Sequence, residues 1–163
     1  QRLGSSNTQL VFNHGGIGVY EKLIRQARQQ GVKVQFSAVN SGATQLAANL
    51  GPLAQGMVVA QVVPSPWERK TAIAREYQDD FKQRHPGKAF SYGSLEGYIT
   101  AKALVAALRL AGPQPTRESL VTGIEKAGQL ELSGLRNSYR PGQHLGMQLV
   151  DLSLVNPQGR FVH

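Results

Sequence analysis

Cysteine is absent from these 163 residues. That excludes disulfides, zinc–thiolate sites and thiol nucleophiles, and it is compatible with an oxidising compartment. Long apolar runs are missing too: none approaches the ~20 residues that a membrane-spanning helix needs. No stretch combines the basic and apolar regions of a targeting segment. Acidic residues are scarce, 10 Asp and Glu against 18 Lys and Arg, for a net charge of +8. The basic residues are dispersed, from Arg25, Arg28 and Lys33 through Arg69, Lys70 and Arg84 to Lys102, Arg109, Arg136 and Arg140. None forms a run with interleaved aromatics, so the excess reads as a solvated basic face and no nucleic-acid partner is expected.

Reaction motifs are equally sparse. No serine sits in a G-x-S-x-G elbow. The histidines His14, His85, His144 and His163 are not spaced as a metal pair, so no metal site is expected. Gly15-Gly16-x-Gly18 follows a predicted strand and precedes a predicted helix, where backbone N–H groups hold anions. The dinucleotide fingerprint also needs a third glycine and an acidic residue at the next strand end, where this chain has Glu21 and Asn40. No cofactor is expected.

What the chain does contain is hydrophobic periodicity. TQLVFN (8–13) reads as a buried strand before a glycine turn. Residues 18–30 carry apolar side chains at 19, 20, 23, 24 and 27, one helical stripe, ended by Gly31. VKVQFSAV (32–39) is a second strand, 43–50 a short helix, and 57–63 a third strand apolar enough to be covered on both faces. Strand, helix, strand, helix, strand implies a parallel sheet with right-handed crossovers.

After Pro64-Ser65-Pro66 the pattern changes. Residues 68–84 are helical on Ile73, Tyr77 and Phe81, with Asp79-Asp80 on the solvated side. A long helix over 94–110 turns Leu95, Tyr98, Ile99, Ala101, Leu104, Val105 and Leu108 inward. Thr116 caps a third helix, which Gly128 ends. Residues 130–146 are polar and glycine-containing. Residues 147–155 alternate as a strand, Asn156-Pro157-Gln158-Gly159 fits a type I turn, and 160–162 returns, making a C-terminal β-hairpin.

Two sets of residues stand out. His14 lies at the C-terminal end of a predicted strand, the usual ligand edge of an α/β sheet, though a plain turn residue reads the same. Tyr92 and Glu96 flank the start of the long helix, where Glu96 is either a cap or half of a cleft-facing pair.

The segments VFNHGGIGVYEKLIRQARQQGVKVQF, GMVVAQVVPSPW, SYGSLEGYITAKALVAAL and the closing LVDLSLVNPQGRFVH resemble the branched-chain-amino-acid type of ABC-transporter substrate-binding proteins, the type I periplasmic binding proteins. The resemblance covers nearly the whole chain. It implies an α/β, Rossmann-like, two-lobe fold of roughly twice this length, with these residues as the C-terminal half. Residues 1–64 are then part of the second lobe, 65–128 helices returning to the first, and 129–163 hinge and hairpin. It further implies a non-enzymatic, periplasmic, solute-binding role, a membrane permease as partner, and the N-terminal half of the same protein as the second partner. Without that half the apolar stripes at 73–81 and 95–108 lack their sheet, which favours a domain-swapped or fragment homodimer. Implied solute contacts are His14, Gly15, Gly16 and Ile17, then Asn40 and Ser41, then Tyr92 and Glu96. Amino-acid-binding members often place a carboxylate in the loop where this chain has Asn40. The resemblance implies a small amino-acid-like or organic-acid solute held in the cleft between the lobes; because an amide cannot neutralise a desolvated ammonium, a carboxylate, amide or aromatic acid suits Asn40. The rival readings are a ligand-sensing domain of the same fold and a flavodoxin-like small enzyme or nucleotide binder. The latter wants acidic strand ends, where His14, Asn40 and Ser65 stand instead.

Overall fold

The computed structural model describes residues 2–163, with the side chains of Arg2 and Gly4 excepted. The chain divides into two compact units. One runs to Val62 and resumes at Val150–His163; the other is Val63–Leu149.

In the first unit a short helix, α1 (Arg2–Ser5), precedes β1 (Leu10–Asn13) and α2 (Ile17–Gln29). The stripe of α2 buries Tyr20, Ile24 and Ala27 as its periodicity predicts. Gly31, at φ 69°, ends it. Gly31 N–H donates to Arg28 O (3.1 Å) and Val32 N–H to Ala27 O (2.9 Å), the double bond of a Schellman ending. Val32 is thereby committed to the helix end, so β2 is Gln35–Val39 rather than starting at 32. α3 (Ala43–Leu50) follows, then a 3₁₀ turn over Gly51–Ala54 and β3 (Val58–Gln61).

β1, β2 and β3 pair in parallel, as the alternation of strands and helices implies. β6 (Asp151–Val155) joins β3 antiparallel, and β7 (Phe161–Val162) joins β6, giving the order β1-β2-β3-β6-β7. The C-terminal hairpin is thus present and extends the sheet. Its turn is held by Asn156, whose Oδ1 accepts from Gln158 and Arg160 N–H.

Register sorts the side chains by face. Val11, Phe36, Ala38 and Val155 lie on one face and join Ile24, Leu46, Leu50 and Met57 in the core beneath α2 and α3. Tyr20 and Phe36 meet edge to face at 5.9 Å. Leu10, Phe12, Leu152, Leu154 and Val162 lie on the other face and are exposed. The expectation that β3 is covered on both faces therefore does not hold. Val59 and Gln61 are buried, Val58 and Ala60 only in part, because α2 and α3 both lie against one face of the sheet.

The second unit holds α4 (Ala72–Arg84), α5 (Tyr92–Ala111), α6 (Arg117–Ala127) and a hairpin of β4 (Gln129–Leu132) and β5 (Leu135–Ser138). Side-chain caps set all three helix starts. Thr71 accepts from Ala74 N–H, Ser91 from Ser94 N–H and Thr116 from Ser119 N–H. Hence α4 begins at Ala72 and not at 68, and α5 at Tyr92 and not at 94. Tyr77, Phe81, Phe90 and Tyr98 form an aromatic cluster, with Tyr77 centroids 5.4–5.7 Å from the other three. Asp79 is exposed and paired with Arg69. Asp80, expected on the solvated side, is instead half-buried and accepts from Tyr98 Oη (2.6 Å).

Along α5, Leu95 and Ile99 are buried, but Leu104, Val105 and Leu108 are exposed at 54, 47 and 39%. The inward face expected for them has no covering layer among the described residues. The β4–β5 hairpin falls largely in the stretch 130–146, which reads in sequence only as polar and glycine-containing. Its two-residue turn places Ser133 at φ 52° and Gly134 at φ 90°, the left-handed pair that matches strand twist.

Candidate functional site

Two loops at the C-terminal ends of the parallel strands of the first unit carry five of the expected contact residues. Since Asn13 pairs with Ala38 in parallel register, the loop after β1 and the loop after β2 leave the sheet at the same edge.

The first loop is set by Asn13. Its Oδ1 accepts from Gly15 N–H (3.2 Å) and its Nδ2 donates to Gly15 O (3.1 Å). This closed turn leaves His14, Gly15 and Gly16 exposed. Gly16 is the N-cap of α2, in an extended conformation (φ −62°, ψ 139°) open to any residue, and no side chain caps the helix. A Cβ at Gly16 or Gly18 would meet nothing within 4 Å. Neither backbone nor packing requires those glycines. What they do is leave the start of α2 without a side-chain cap, and its first turn holds no acidic residue.

The second loop is Asn40-Ser41-Gly42. Ala43 N–H donates to Asn40 O (3.0 Å), closing the turn. Asn40 is half-buried and Ser41 exposed. Gly42 is the N-cap of α3 at φ 70°, again without a side-chain cap. Here glycine is demanded twice. The dihedral is left-handed, and a Cβ would stand 2.8 Å from Ile17 Cγ2. Ile17 is the first residue of α2. Its contact with Gly42 locks the two loops side by side and converges two uncapped helix N-termini. Neither loop contains Asp or Glu: they read Asn-His-Gly-Gly-Ile-Gly and Asn-Ser-Gly-Ala.

Gly42 and the uncapped N-termini escape a reading by residue type. The signal available in sequence was glycine just before α2 and α3, where α4, α5 and α6 have threonine or serine.

Tyr92 and Glu96 belong to the second unit. Tyr92 is 1% exposed and meets Trp67 edge to face at 5.2 Å. Glu96 is half-buried in the second turn of α5. The N-terminus of that helix carries a reciprocal capping box of Ser91 and Ser94, each accepting from the other's N–H.

A family model described as "Periplasmic binding protein" matches residues 1–160. The chain belongs to that family. Among solved structures, a possible leucine/isoleucine/valine-binding protein from Rhodopirellula baltica SH 1 is 32% identical, with a TM-score of 0.86 over 95% of this chain and 42% of its own. A substrate-binding periplasmic protein from Ralstonia solanacearum is 24% identical, at a TM-score of 0.87 over 98% of this chain and 46% of its own. A branched-chain amino acid ABC transporter protein from Thermus thermophilus, with bound valine, superposes at 0.75 with 17% identity, over 99% of this chain and 46% of its own. The last two show the fold alone. No curated protein matches the chain. The chain spans less than half the length of each of these relatives.

Proposed function

We propose that this periplasmic binding protein chain supplies half of a solute site, in a periplasmic component that delivers its solute to an ABC permease in the membrane. The role is capture without catalysis, and the N-terminal half of the protein completes the site. The carrying observation is the pair of uncapped helix N-termini of α2 and α3, locked at the Ile17–Gly42 contact beside His14 and Asn40. Two helix starts without a side-chain cap or an acidic residue in the first turn favour an anionic or carbonyl-bearing solute group. His14, Gly15, Gly16, Asn40 and Ser41 are its contacts here; Tyr92 and Glu96 are the contacts assigned to the second unit.

The Rhodopirellula baltica relative is named as a possible leucine/isoleucine/valine-binding protein. The two loops of this chain argue for a different solute. They carry no carboxylate to pair with an α-ammonium, and Asn40 offers an amide dipole in its place. The solute class that fits is a carboxylic acid or amide without a neighbouring ammonium, aromatic acids included.

Amide NMR titration of the chain with benzoate, benzamide and leucine tests this. Benzoate is expected to shift Gly15–Val19 and Ser41–Thr44 amides at millimolar concentration, because only half of the site is present. Leucine producing the larger shifts at the same concentration would sink the solute assignment. Micromolar affinity for any of the three would sink the half-site reading.

A further inference from the structure

We propose that a hollow between α4 and α5 is a binding site for an organic cation, a primary amine bearing an aromatic group, with Asp80 as the carboxylate that receives its ammonium. The site lies wholly within the second unit and does not depend on the solute reading above.

The hollow holds about 410 Å³, within the range of small-molecule sites, about 300–1,000 Å³. Residues at helical spacing build it. Tyr77, Asp80, Phe81 and Arg84 stand on one face of α4, and Ser94 and Tyr98 lie one turn apart on α5. Its walls are rings. Tyr77 meets Phe81 at 5.4 Å and Tyr98 at 5.7 Å, and the exposed His85 meets Phe81 at 5.0 Å.

Counting protons sets Asp80 apart from the other polar groups of the hollow. Tyr77 Oη and Ser94 Oγ bond each other at 2.6 Å. Tyr98 Oη lies 2.6 Å from Asp80 Oδ2 and 2.8 Å from Glu76 Oε1, and a phenol has one proton for the two carboxylates. Glu76 has Lys102 and Ser133 besides. Asp80 has that half-share alone: among the described residues it is in no ion pair and accepts from no other side chain. A half-buried carboxylate so poorly supplied favours a cation beside it.

The rings choose what that cation carries. Aromatic faces attract ammonium groups, and this cluster already holds two at its edges. Lys102 Nζ stands 5.8 Å from the Tyr98 centroid and Lys82 Nζ 5.7 Å from that of Phe90. An aromatic amine meets both demands: its N–H groups donate to Asp80 while its ring packs on Tyr77 and Phe81. An anionic ligand would face Asp80, and a neutral one would leave that charge unanswered. Arg84 is the resident competitor. It lies four residues beyond Asp80, at the spacing for a helical ion pair, yet its side chain is exposed and makes no such pair among the described residues.

Amide NMR titration of the 163-residue chain with phenethylamine, 2-phenylethanol and 3-phenylpropionate tests the site. Phenethylamine is expected to shift the amides of Asp80–His85 and Ser94–Tyr98 and to bind roughly tenfold more tightly than the alcohol, since a charge-assisted bond outweighs a neutral one. Asp80→Asn keeps an acceptor for Tyr98 and is expected to erase that preference. Arg84→Gln is expected to tighten amine binding about threefold by removing an exposed competing charge. If circular dichroism shows that Asp80→Asn does not fold, Phe81→Leu replaces it and is expected to weaken amine binding about threefold by removing a ring wall. Alcohol or propionate binding as tightly as the amine overturns the proposal, as does a preference that survives in folded Asp80→Asn. So do amine binding unchanged in folded Phe81→Leu, amine binding weakened in Arg84→Gln, and the absence of shifts at millimolar amine.

Discussion

Glu76 accepts from three donors on two elements, α5 and the β4–β5 turn. Lys102 Nζ reaches its Oε1 and Ser133 Oγ its Oε2, and Tyr98 Oη, whose single proton is shared with Asp80, lies 2.8 Å from its Oε1. The Lys102 and Ser133 bonds, in that order, hold its carboxyl down to about 2 against burial. The folded value lies below the unfolded one, so the stabilisation is present above about pH 4.5 and is lost as pH falls toward 2. The side chain is 37% exposed, and solvent screening reduces what the bonds contribute. Glu76→Gln is expected to lower stability by about 1 kcal/mol at pH 7. Urea melts of both proteins from pH 7 to pH 2 check it: the gap should close on acidification, and a constant gap would refute the charge argument. Tyr20 works in the opposite direction. Burial pushes its hydroxyl up to about 12, and its single proton is shared between Val11 O (3.0 Å) and Ser37 O (2.9 Å). Its stabilisation holds below about pH 10 and is lost as pH rises toward 12. Tyr20→Phe is expected to cost about 1 kcal/mol at neutral pH, measured by thermal melts, with the cost fading in strong base. Neither network was legible in sequence. Glu76 and Ser133 are 57 residues apart, and only the fold brings them together.

Capping divides the helices into two kinds. α4, α5 and α6 begin with Thr71, Ser91 and Thr116, whose side chains satisfy free N–H groups. α2 and α3 begin with Gly16 and Gly42 and satisfy none by side chain. If those ends are left bare for a solute, filling them should trade binding for stability. Gly16→Asp suits the extended backbone there and meets open space. It is expected to stabilise by about 0.5 kcal/mol through capping and the helix dipole, and to remove the benzoate-induced shifts of the α2 amides. Denaturant melts and the same titration check both halves; persistence of the shifts would dissociate α2 from the site. Gly42→Ala has the opposite sign, costing roughly 1–3 kcal/mol from its left-handed dihedral and the Ile17 contact. Most elements were legible from periodicity, because α2 and α3 are amphipathic against one core. Their boundaries were less so: Val32 looks like strand but closes a helix. The β4–β5 hairpin was missed although Leu130 and Leu132 alternate before Ser133-Gly134, because its strands are only four residues each. α5 misled in another way. Its apolar stripe is real, yet Leu104 and Leu108 are exposed.

At the scale of the whole chain, the first unit is discontinuous. β1, α2, β2, α3 and β3 come from the first 62 residues, and β6 and β7 from the last 14, Val150–His163. Periodicity reveals a hairpin at the end of the chain but not which strand it joins. That pairing is set by side chains far apart in sequence. Gln61, fully buried, donates from Nε2 to Ser153 Oγ at 2.9 Å, and Ser153 Oγ bonds Val59 O at 3.3 Å. Val155, 1% exposed, belongs to the same core as Phe36 and Met57, and its backbone brackets Met57 through Gly56 N–H and its own N–H. Removal of residues 150–163 therefore strips β3 of its neighbour, leaves the Gln61 amide buried without a partner and opens the core under Val155. An unsatisfied buried amide costs about 1–3 kcal/mol, and the lost valine adds to it. A five-strand sheet reduced to three short strands has little margin against losses of that size. The second unit keeps its own aromatic cluster, its capped helices and the Glu76 network, all within Val63–Leu149. Truncation after Leu149 is expected to unfold the first unit and to spare the second. Hydrogen exchange followed by mass spectrometry reads this directly: protection should vanish over β1–β3 and α2 while α4 and the first turns of α5 remain slow to exchange. Loss of protection in both units at once would mean that they fold only together.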